Sequence, residues 1–253
     1  MDSGVVKEYF STPCVLDHYE RAALDVGLWI SEKVAFTRYF GRRHPLLELG
    51  TGAGRIAFGL EELGYSDIRA VDLSEAMIAR AAIVAAQKGS RVGFGVADAC
   101  ALAFADQSFD GAIFGFNGMM QIPGRERRRS AMREVFRVLR PGSFFIFTTH
   151  DQDNPHHRNF WAEQRRLWDC GAQDPLLDDF GDRYEDTPLG MLFIHIPTRE
   201  EIHEDIDASG FVYVSDTPRS LLANETFVVR DFSDDCRFWI LRKPKAVPDQ
   251  VLD

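Results

Sequence analysis

Short apolar runs alternate with amphipathic stretches over the central part of the chain, from Pro45 to His150. The runs are rich in Val, Ile, Leu and Phe, which is typical of buried strands. They predict strands at Pro45–Leu49, Ile68–Val71, Val92–Val96, Phe109–Phe116 and Ser143–Thr149. The stretches between them predict helices at Arg55–Leu63, Ser74–Lys88 and Pro123–Leu139. Strands that alternate with helices form right-handed βαβ units, so we expect a parallel sheet covered by helices.

The pattern changes on both sides of this central part. Residues 1–44 predict helices, and the C-terminal part predicts a mixture of elements around an acidic stretch. The elements predicted there are helices at His157–Trp168 and Glu200–Ala208 and strands at Met191–Ile196, Phe211–Val214 and Cys236–Leu241. No linker rich in proline or glycine separates these parts, so we expect a single domain. It has a helical cover (1–44), a core (45–150), an insert (151–197) and a C-terminal helix with strands (198–253).

Composition and charge narrow the class of protein. The chain has 253 residues, of which 45% are hydrophobic and 27% are charged, so it has enough apolar residues for a core. A net charge of −10 disfavours binding to duplex nucleic acid, where neutralisation of phosphates dominates affinity. No apolar stretch approaches the roughly 20 residues that span a membrane. Four scattered cysteines without a CxxC pair, and no secretory signal, predict a cytoplasmic protein without a zinc knuckle.

The most informative segment is Leu46–Arg55, with the sequence LLELGTGAGR. A strand runs into a glycine-rich turn and then into a helix, so the backbone approaches a ligand closely beside a helix N-terminus. Gly52–Ala57 also satisfies GxGxxA, a variant of the dinucleotide fingerprint. An NAD-dependent oxidoreductase is therefore one candidate class, and a tight turn that binds nothing is the structural alternative.

Three acidic residues follow the strands and discriminate between these ligands. Glu48 lies two residues before Gly50, where it would repel a pyrophosphate and attract an amino group. Asp72 ends the second strand, where a carboxylate accepts both hydroxyls of a ribose, although it could instead only cap the next helix. Asp98 follows the third strand, where it could accept from an adenine amine. A site with one acid for an ammonium group, one for a ribose diol and one for an adenine amine matches S-adenosylmethionine.

At this point the sequence resembles the class I S-adenosylmethionine-dependent methyltransferases of the small-molecule type. The resemblance covers residues 45–150 and is carried by motifs that occur in the family's order: Glu48–Gly54 (ELGTGAG), Val71–Met77 (VDLSEAM), Ala97–Phe104 (ADACALAF), Phe109–Phe114 (FDGAIF) and Glu134–Gly142 (EVFRVLRPG). It implies a Rossmann-like α/β fold with a doubly wound seven-stranded sheet of order 3-2-1-4-5-7-6, whose last strand is antiparallel.

The resemblance also implies the residues that bind S-adenosylmethionine and its product S-adenosylhomocysteine. The loop under the methionyl part is formed by Gly50, Thr51, Gly52 and Gly54, with Glu48 near the ammonium group. Asp72 holds the ribose, Leu73 and Met77 flank the adenine, and Asp98 with the Ala99 backbone reads the adenine edge. Asn117, just after the fourth strand, approaches the methionyl group. Many small-molecule members carry a histidine where this chain has Gln121, which removes one candidate base.

His150 ends the fifth predicted strand and is the first candidate for a catalytic base. Ligands of open α/β sheets gather at the carboxyl ends of the strands, where a neutral imidazole can accept a proton from an acceptor molecule. We expect His150 in the acceptor pocket and outside the cofactor pocket, with His195 and Tyr19 as alternative bases. The spacing of the polar residues after His150 fits no fixed set of ligands, so we expect no metal. The arginines Arg125, Arg127, Arg128 and Arg129 predict a solvated helix face.

The predicted reaction is direct in-line transfer of a methyl group to a small-molecule acceptor under the cover of residues 1–44 and 151–197. Asn117-Gly-Met-Met stands where amine-methylating nucleic-acid and glutamine enzymes carry an Asn-Pro-Pro-Tyr motif, which argues against those branches. The sequence leaves open whether the acceptor atom is O, N, S or C, and it leaves open the oligomeric state. A sensor that binds the cofactor without transferring a methyl is the alternative from another class.

Overall fold

The computed structural model of the protein describes residues 4–245. Its strands are β1 Leu46–Leu49, β2 Ile68–Asp72, β3 Gly93–Val96, β4 Phe109–Phe114, β5 Leu139–Thr149, β6 Asp182–Thr187, β7 Gly190–His195, β8 Val212–Pro218 and β9 Arg237–Arg242. Seven of them form one sheet in the order β3-β2-β1-β4-β5-β9-β8. The first five pair in parallel, and β9 runs antiparallel to both β5 and β8. The predicted fold class and strand order are confirmed.

Helices cover both faces of this sheet, and helices from the N-terminus of the chain lie over the carboxyl ends of its central strands. They are α1 Gly4–Tyr9, α2 Pro13–Arg21, α3 Ile30–Tyr39, α4 Arg55–Glu62, α5 Glu75–Lys88, α6 Arg125–Val138, α7 Arg158–Asp169, α8 Arg199–Ser209, α9 Arg219–Leu222 and α10 Phe227–Phe232. Helix α5 shows why these bounds arise. The Ser74 hydroxyl accepts a hydrogen bond from the Met77 backbone at its start, and Gly89 ends it with a left-handed φ of 64°. None of the helices described for residues 4–245 is long and apolar enough to cross a membrane.

The apolar residues of the central strands build two cores, one on each face of the sheet. Phe145 and Phe147 of β5 pack on one face with residues of α6 and α8, such as Val135 and Ile206. On the other face, residues of β4, β5 and β9 pack with α3 and α4. All four residues of β1 are buried, as expected for a parallel strand covered on both sides. Burying a large apolar side chain contributes about 1.5–3 kcal/mol, so these layers hold the strand ends in fixed positions.

Two sequence predictions of secondary structure are wrong in detail. Helix α6 ends at Val138 and β5 begins at once, so Pro141-Gly142 lies inside a strand and does not separate two elements. The Gly142 backbone donates to the Lys243 carbonyl, and the pairing of β5 with β4 is irregular between Leu139 and Phe144. Strand β6 was not predicted, because its sequence DRYEDT is acidic. It forms by antiparallel pairing with β7, which makes residues 182–195 a hairpin.

Candidate active site

A cavity, called the larger cavity, opens where β1, β2, β3 and β4 end. Its floor comes from the loops after those strands, and its cover comes from α1 and α2. It is lined by Val6, Lys7, Phe10, Tyr19, Leu49, Gly50, Gly52, Val71, Asp72, Leu73, Ser74, Ala97, Asp98, Ala99, Phe114, Gly115, Phe116, Gly118, Gln121, Ile122, Pro123 and Arg127. A mostly apolar lining with a few polar groups is typical of a site for a small organic ligand.

The glycine loop forms the tight connection between β1 and α4. Gly50 and Gly52 adopt left-handed φ values of 62° and 55°, which residues with a side chain rarely adopt. A Cβ atom at Gly50 would lie 2.6 Å from the Phe114 ring, so the lack of a side chain there is also a steric requirement. Gly54 is left-handed too, but it caps the start of α4 and lies outside the lining of the larger cavity. The loop therefore brings its backbone, without side chains, to the cavity.

Asp72 lies at the end of β2 and faces the glycine loop. Its Oδ2 atom accepts from the Gly52 backbone at 2.8 Å, and its Oδ1 atom accepts from the Ser74 backbone at 2.9 Å. Burial raises the pKa of Asp72, and these backbone bonds counteract only part of that rise. A carboxylate has about four acceptor positions, so both oxygens can still accept from a pair of hydroxyls. Leu73 lines the same part of the cavity.

Asp98 and Ala99 line the larger cavity after β3, as the sequence predicted. Asp98 accepts from the Cys100 backbone at 2.8 Å, and the Arg127 guanidinium donates to it at 2.9 Å. Partial burial opposes ionisation, but these two groups outweigh it and hold the pKa of Asp98 below its usual range. The prediction of a solvated arginine face is wrong for Arg128, which is buried. Arg127 lines the cavity but keeps 40% of its side chain exposed.

A smaller cavity adjoins the larger one and shares Tyr19, Gly50 and Phe116 with it. It contains Glu48, which is only 2% exposed. Burial raises the pKa of Glu48 to about 8, although the Thr51 hydroxyl, which donates to it at 3.0 Å, and the Arg55 charge both act against the rise. A cationic group bound beside Glu48 would favour its ionised form.

Arg55 follows the glycine loop and also lines the smaller cavity. Its guanidinium forms a two-pronged ion pair with the buried Glu32 of α3, at 2.6 and 2.7 Å, and donates to the Gly27 carbonyl at 2.9 Å. The Arg55 charge is thus balanced by Glu32, which leaves Glu48 as the acid available to a ligand. The same pair attaches the N-terminal cover to the loop.

Asn117 and His150 come together at the ends of β4 and β5. The Asn117 Nδ2 and His150 Nε2 atoms are 3.3 Å apart, and His150 Nδ1 lies 3.2 Å from the Asp235 carbonyl oxygen. Neither residue is part of the lining of the two cavities. Phe116 lines both of them, and Gly118 lines the larger one, so Asn117 lies directly behind the wall. The expectation that His150 lies outside the cofactor pocket agrees with this arrangement.

Met77 is not part of the lining of either cavity. Its side chain is fully buried and packs with Tyr9 and Val15 of the N-terminal cover. Phe10 and Tyr19, which line the larger cavity, pack against the same cluster. The role beside the adenine that the resemblance implies for Leu73 and Met77 stays a prediction.

The alternative bases differ in position. Tyr19 lines both cavities, and burial strongly raises the pKa of its hydroxyl. His195 is fully buried in an ionic cluster away from the cavities, at 2.7 Å from Asp182 and 3.0 Å from Glu201. Burial opposes a charge on this ring, but both carboxylates outweigh it and raise the pKa of His195. Arg128, which is 3.1 Å from Glu201, completes the cluster.

Several lining residues were not predicted from the sequence. Phe10 comes from the N-terminal cover, Phe116 comes from the turn after β4, and Phe232 comes from α10. Phe116, Phe232 and His18 stack in series, with ring centroids 5.3 and 5.1 Å apart. No short motif marks these residues, because the chain brings them to the site from distant segments.

Comparison with known proteins agrees with this arrangement. Residues 46–142 match a family described as "Methyltransferase domain". A ubiquinone/menaquinone biosynthesis C-methyltransferase from Roseobacter denitrificans is 32% identical over 145 residues, which cover 55% of this chain and 56% of that protein. The chain thus spans about half the length of such a curated relative.

Solved structures show the same fold over most of the chain. An S-adenosylmethionine-dependent methyltransferase from Methanosarcina mazei aligns with a TM-score of 0.67 and 22% identity, covering 83% of this chain and 96% of that one. A glycopeptide N-methyltransferase in complex with S-adenosylhomocysteine aligns with a TM-score of 0.61 and 18% identity, covering 85% of this chain and 88% of that one. At this level of identity the two structures support the fold.

Proposed function

We propose that this protein, whose residues 46–142 form a class I S-adenosylmethionine-dependent methyltransferase domain, transfers a methyl group from S-adenosylmethionine to a small-molecule acceptor. The observation that carries the proposal is the pair of adjoining cavities around the glycine loop. One presents the Asp72 carboxylate among apolar residues, and the other presents the buried Glu48. Asp72 can accept from the ribose hydroxyls, and Glu48 can pair with the ammonium group. The two acids lie on either side of one loop and match the two polar ends of this cofactor.

The residues present fit the cofactor in three respects. Asp72 keeps acceptor capacity for the ribose hydroxyls, while Leu73, Ala97 and Ala99 give an apolar surface for the adenine. Glu48 has a pKa of about 8 and gains a partner when an ammonium group is bound. The Asn117 side-chain oxygen is buried and has no hydrogen-bond partner among residues 4–245, so it too is suited to accept from a ligand.

The chain's task in this reaction is positioning. S-adenosylmethionine supplies an activated methyl group on a sulfonium sulfur. Gly50 and Gly52 let the backbone approach it, and Asp72 and Glu48 fix its two ends. Tyr19 and Phe10 of the cover exclude water from the cavity that it occupies. Holding two reactants in line at near-attack distance accounts for a large part of such an acceleration.

The acceptor is proposed as a class and not as a compound. The relatives compared above act on carbon in one case and on nitrogen in another, so the acceptor atom follows from neither. The net charge of −10 supports a small molecule over a nucleic acid. The whole chain is proposed to form one methyltransferase domain that works in the cytoplasm. Residues 151–197 are proposed to lie on the side of the site where the methyl acceptor binds.

The proposal is tested with S-adenosylmethionine that carries a labelled methyl group. The protein is incubated with a panel of phenols, amines, thiols and quinols, and both labelled product and S-adenosylhomocysteine are measured. We expect transfer to at least one acceptor class, and loss of transfer in Asp72→Ala. Tight binding of S-adenosylhomocysteine without transfer to any acceptor would favour a sensor. Failure to bind it would overturn the proposal.

A further inference from the structure

The ends of β4 and β5 hold a chain of hydrogen bonds that the proposed function has not used. It runs from the Asn117 side-chain amide to the His150 ring and on to the backbone carbonyl of Asp235. Asp235 is itself fixed, because its carboxylate accepts from the Ser220 hydroxyl at 2.7 Å and from the Cys236 backbone at 3.1 Å. The chain therefore ends on a rigid acceptor.

This rigid end determines the state of the His150 ring. A carbonyl oxygen only accepts, so the Nδ1 atom that faces it carries the proton. In the neutral ring the Nε2 atom is then an acceptor, and the Asn117 Nδ2–H group donates to it. That bond orients the Asn117 amide, because the NH2 end faces His150 and the carbonyl oxygen faces away. Both nitrogens of His150 are thereby occupied.

The backbone at Asn117 is held in an uncommon conformation. Phe116 and Asn117 are consecutive residues with left-handed φ values of 47° and 60°, which side-chain-bearing residues adopt rarely. A bond from the Asn117 backbone to the Thr148 hydroxyl, at 2.8 Å, keeps this turn in place. Such conformations persist where the surrounding structure enforces them, and they cluster at ligand sites.

The carbonyl end of the amide lacks a partner. Asn117 is 5% exposed, and its Oδ1 atom is buried with no hydrogen bond to any residue in 4–245. Buried acceptors are nearly always satisfied, so an orphan acceptor beside Phe116, which lines both cavities, points to a ligand donor. Among the polar groups of the cofactor, the methionyl ammonium is the donor that Glu48 of the smaller cavity also attracts.

We propose that His150 is a positioning residue and not the base. It holds the Asn117 amide so that the carbonyl oxygen accepts from the methionyl ammonium of the bound cofactor. The inference rests on the proposed function, because it takes S-adenosylmethionine as the ligand. The two roles differ in what they affect. A positioning residue supports the affinity for the cofactor, whereas a base at position 150 would act only in the transfer step.

The test is a calorimetric titration with S-adenosylhomocysteine, which has the same ammonium group and needs no acceptor. Gln retains an acceptor where Nε2 lies, whereas Ala retains none. We expect His150→Ala and Asn117→Ala each to weaken binding by about tenfold, as for one lost bond to a charged group. We expect His150→Gln to stay within about threefold of the parent. The double variant should bind no more weakly than Asn117→Ala, since the residues act as one unit.

His156→Ala is the matched control, because it removes an exposed histidine six positions later and should leave binding unchanged. Unaltered binding by His150→Ala, or losses that add in the double variant, would overturn the positioning role. If the parent does not bind S-adenosylhomocysteine, the proposed function itself fails, so the two failures are distinguishable. Thermal unfolding of each variant verifies that it is folded.

A second readout observes the ring directly. Nitrogen-15 NMR of the folded protein, recorded at a pH where the His150 ring is neutral, should show the proton on Nδ1 and none on Nε2. The opposite tautomer would place a donor against the Asn117 NH2 group and would overturn the inference, whatever the variants do.

Discussion

The side of the sheet where the parallel strands end has two halves that are built in different ways. In the half formed by β1, β2 and β3, backbone N–H groups donate to Asp72 and Asp98, and the Thr51 hydroxyl donates to Glu48. Asp72 accepts from Gly52 and Ser74, which lie 20 and 2 positions away, and Asp98 accepts from Cys100, 2 positions away. In the half formed by β4 and β5, contacts made by side chains join segments that are distant in the sequence. Asn117 meets His150 33 positions away, and His150 meets Asp235 85 positions away.

This difference separates the functions of the two halves. Backbone N–H groups of a tight loop are rigid, so the first half can present a preformed surface to the part of the cofactor that never changes. Chains of side chains can be altered one residue at a time without rebuilding a strand. The second half is therefore suited to adjust how the site holds its ligand. The predictions below separate binding by the acids of the first half from structural support by the buried cluster around His195.

The largest effect is expected for Asp72→Ala. The change removes both acceptors for the ribose diol, and each charge-assisted hydrogen bond contributes about 1.5–3 kcal/mol. S-adenosylhomocysteine should bind at least about 100-fold more weakly by calorimetry. The variant should remain folded, since burial makes the carboxylate costly to keep ionised. Asp207→Ala, at an exposed position on α8, is the control. Binding equal to that of the parent would remove Asp72 from the ribose site.

At the ionic cluster around His195, away from the cavities, His195→Leu should affect stability and not binding. The change leaves the buried Asp182 without its cationic partner and leaves Glu201 with Arg128 alone, and breaking such a cluster costs about 3–5 kcal/mol. Chemical denaturation at pH 6 should show this loss, whereas S-adenosylhomocysteine affinity at the same pH should change by less than about threefold. His157→Leu, at an exposed position, is the control. A large loss of affinity with little loss of stability would reverse the assignment.

The pH dependence of this cluster has a definite sign. The pKa of His195 is raised above its unfolded value, so its contribution to stability is complete below about pH 6.5 and is lost as pH rises through the folded value. The pKa values of Asp182 and Glu201 are lowered, so their contributions are lost as pH falls below about 4. The parent should therefore lose stability above neutral pH more steeply than His195→Leu does.

A smaller effect is expected for Glu48→Gln. With a pKa of about 8, Glu48 is mostly protonated at pH 7 before binding, and an ammonium ligand should ionise it. Binding of S-adenosylhomocysteine to the parent should release a proton at pH 7 and strengthen as pH rises from 6 to 8. Glu48→Gln should show neither behaviour and should bind about tenfold more weakly at pH 8. Glu200→Gln, at an exposed position, is the control.

Glu48→Gln should weaken binding but stabilise the ligand-free protein. A carboxyl whose folded pKa is raised destabilises the folded state increasingly as pH rises from about 4.5 to 8. Glu48→Gln should therefore raise the free energy of unfolding of the ligand-free protein at pH 8 by on the order of 1 kcal/mol or more. Equal stability of the two proteins at pH 8 would show that Glu48 is not held in its neutral form.

Some features of the fold and of the site could be predicted from the sequence, and others could not. The strand order and the positions of Gly50, Gly52 and Asp72 could be predicted, because short motifs mark the glycine loop and the strand ends and the resemblance implies the order. Strand β6 and the lining residues Phe10 and Phe232 carry no such mark, because their places depend on packing between distant segments. The packing of Met77 with Tyr9 and Val15 of the cover could not be predicted from its motif either.

The central claim is that the two cavities around the glycine loop bind S-adenosylmethionine and its product. One calorimetric experiment tests it most directly, in which the parent protein is titrated with S-adenosylhomocysteine and, separately, with NAD. We predict one site for S-adenosylhomocysteine, with release of a proton at pH 7, and no heat of binding with NAD. Tight binding of NAD and no response to S-adenosylhomocysteine would contradict the claim.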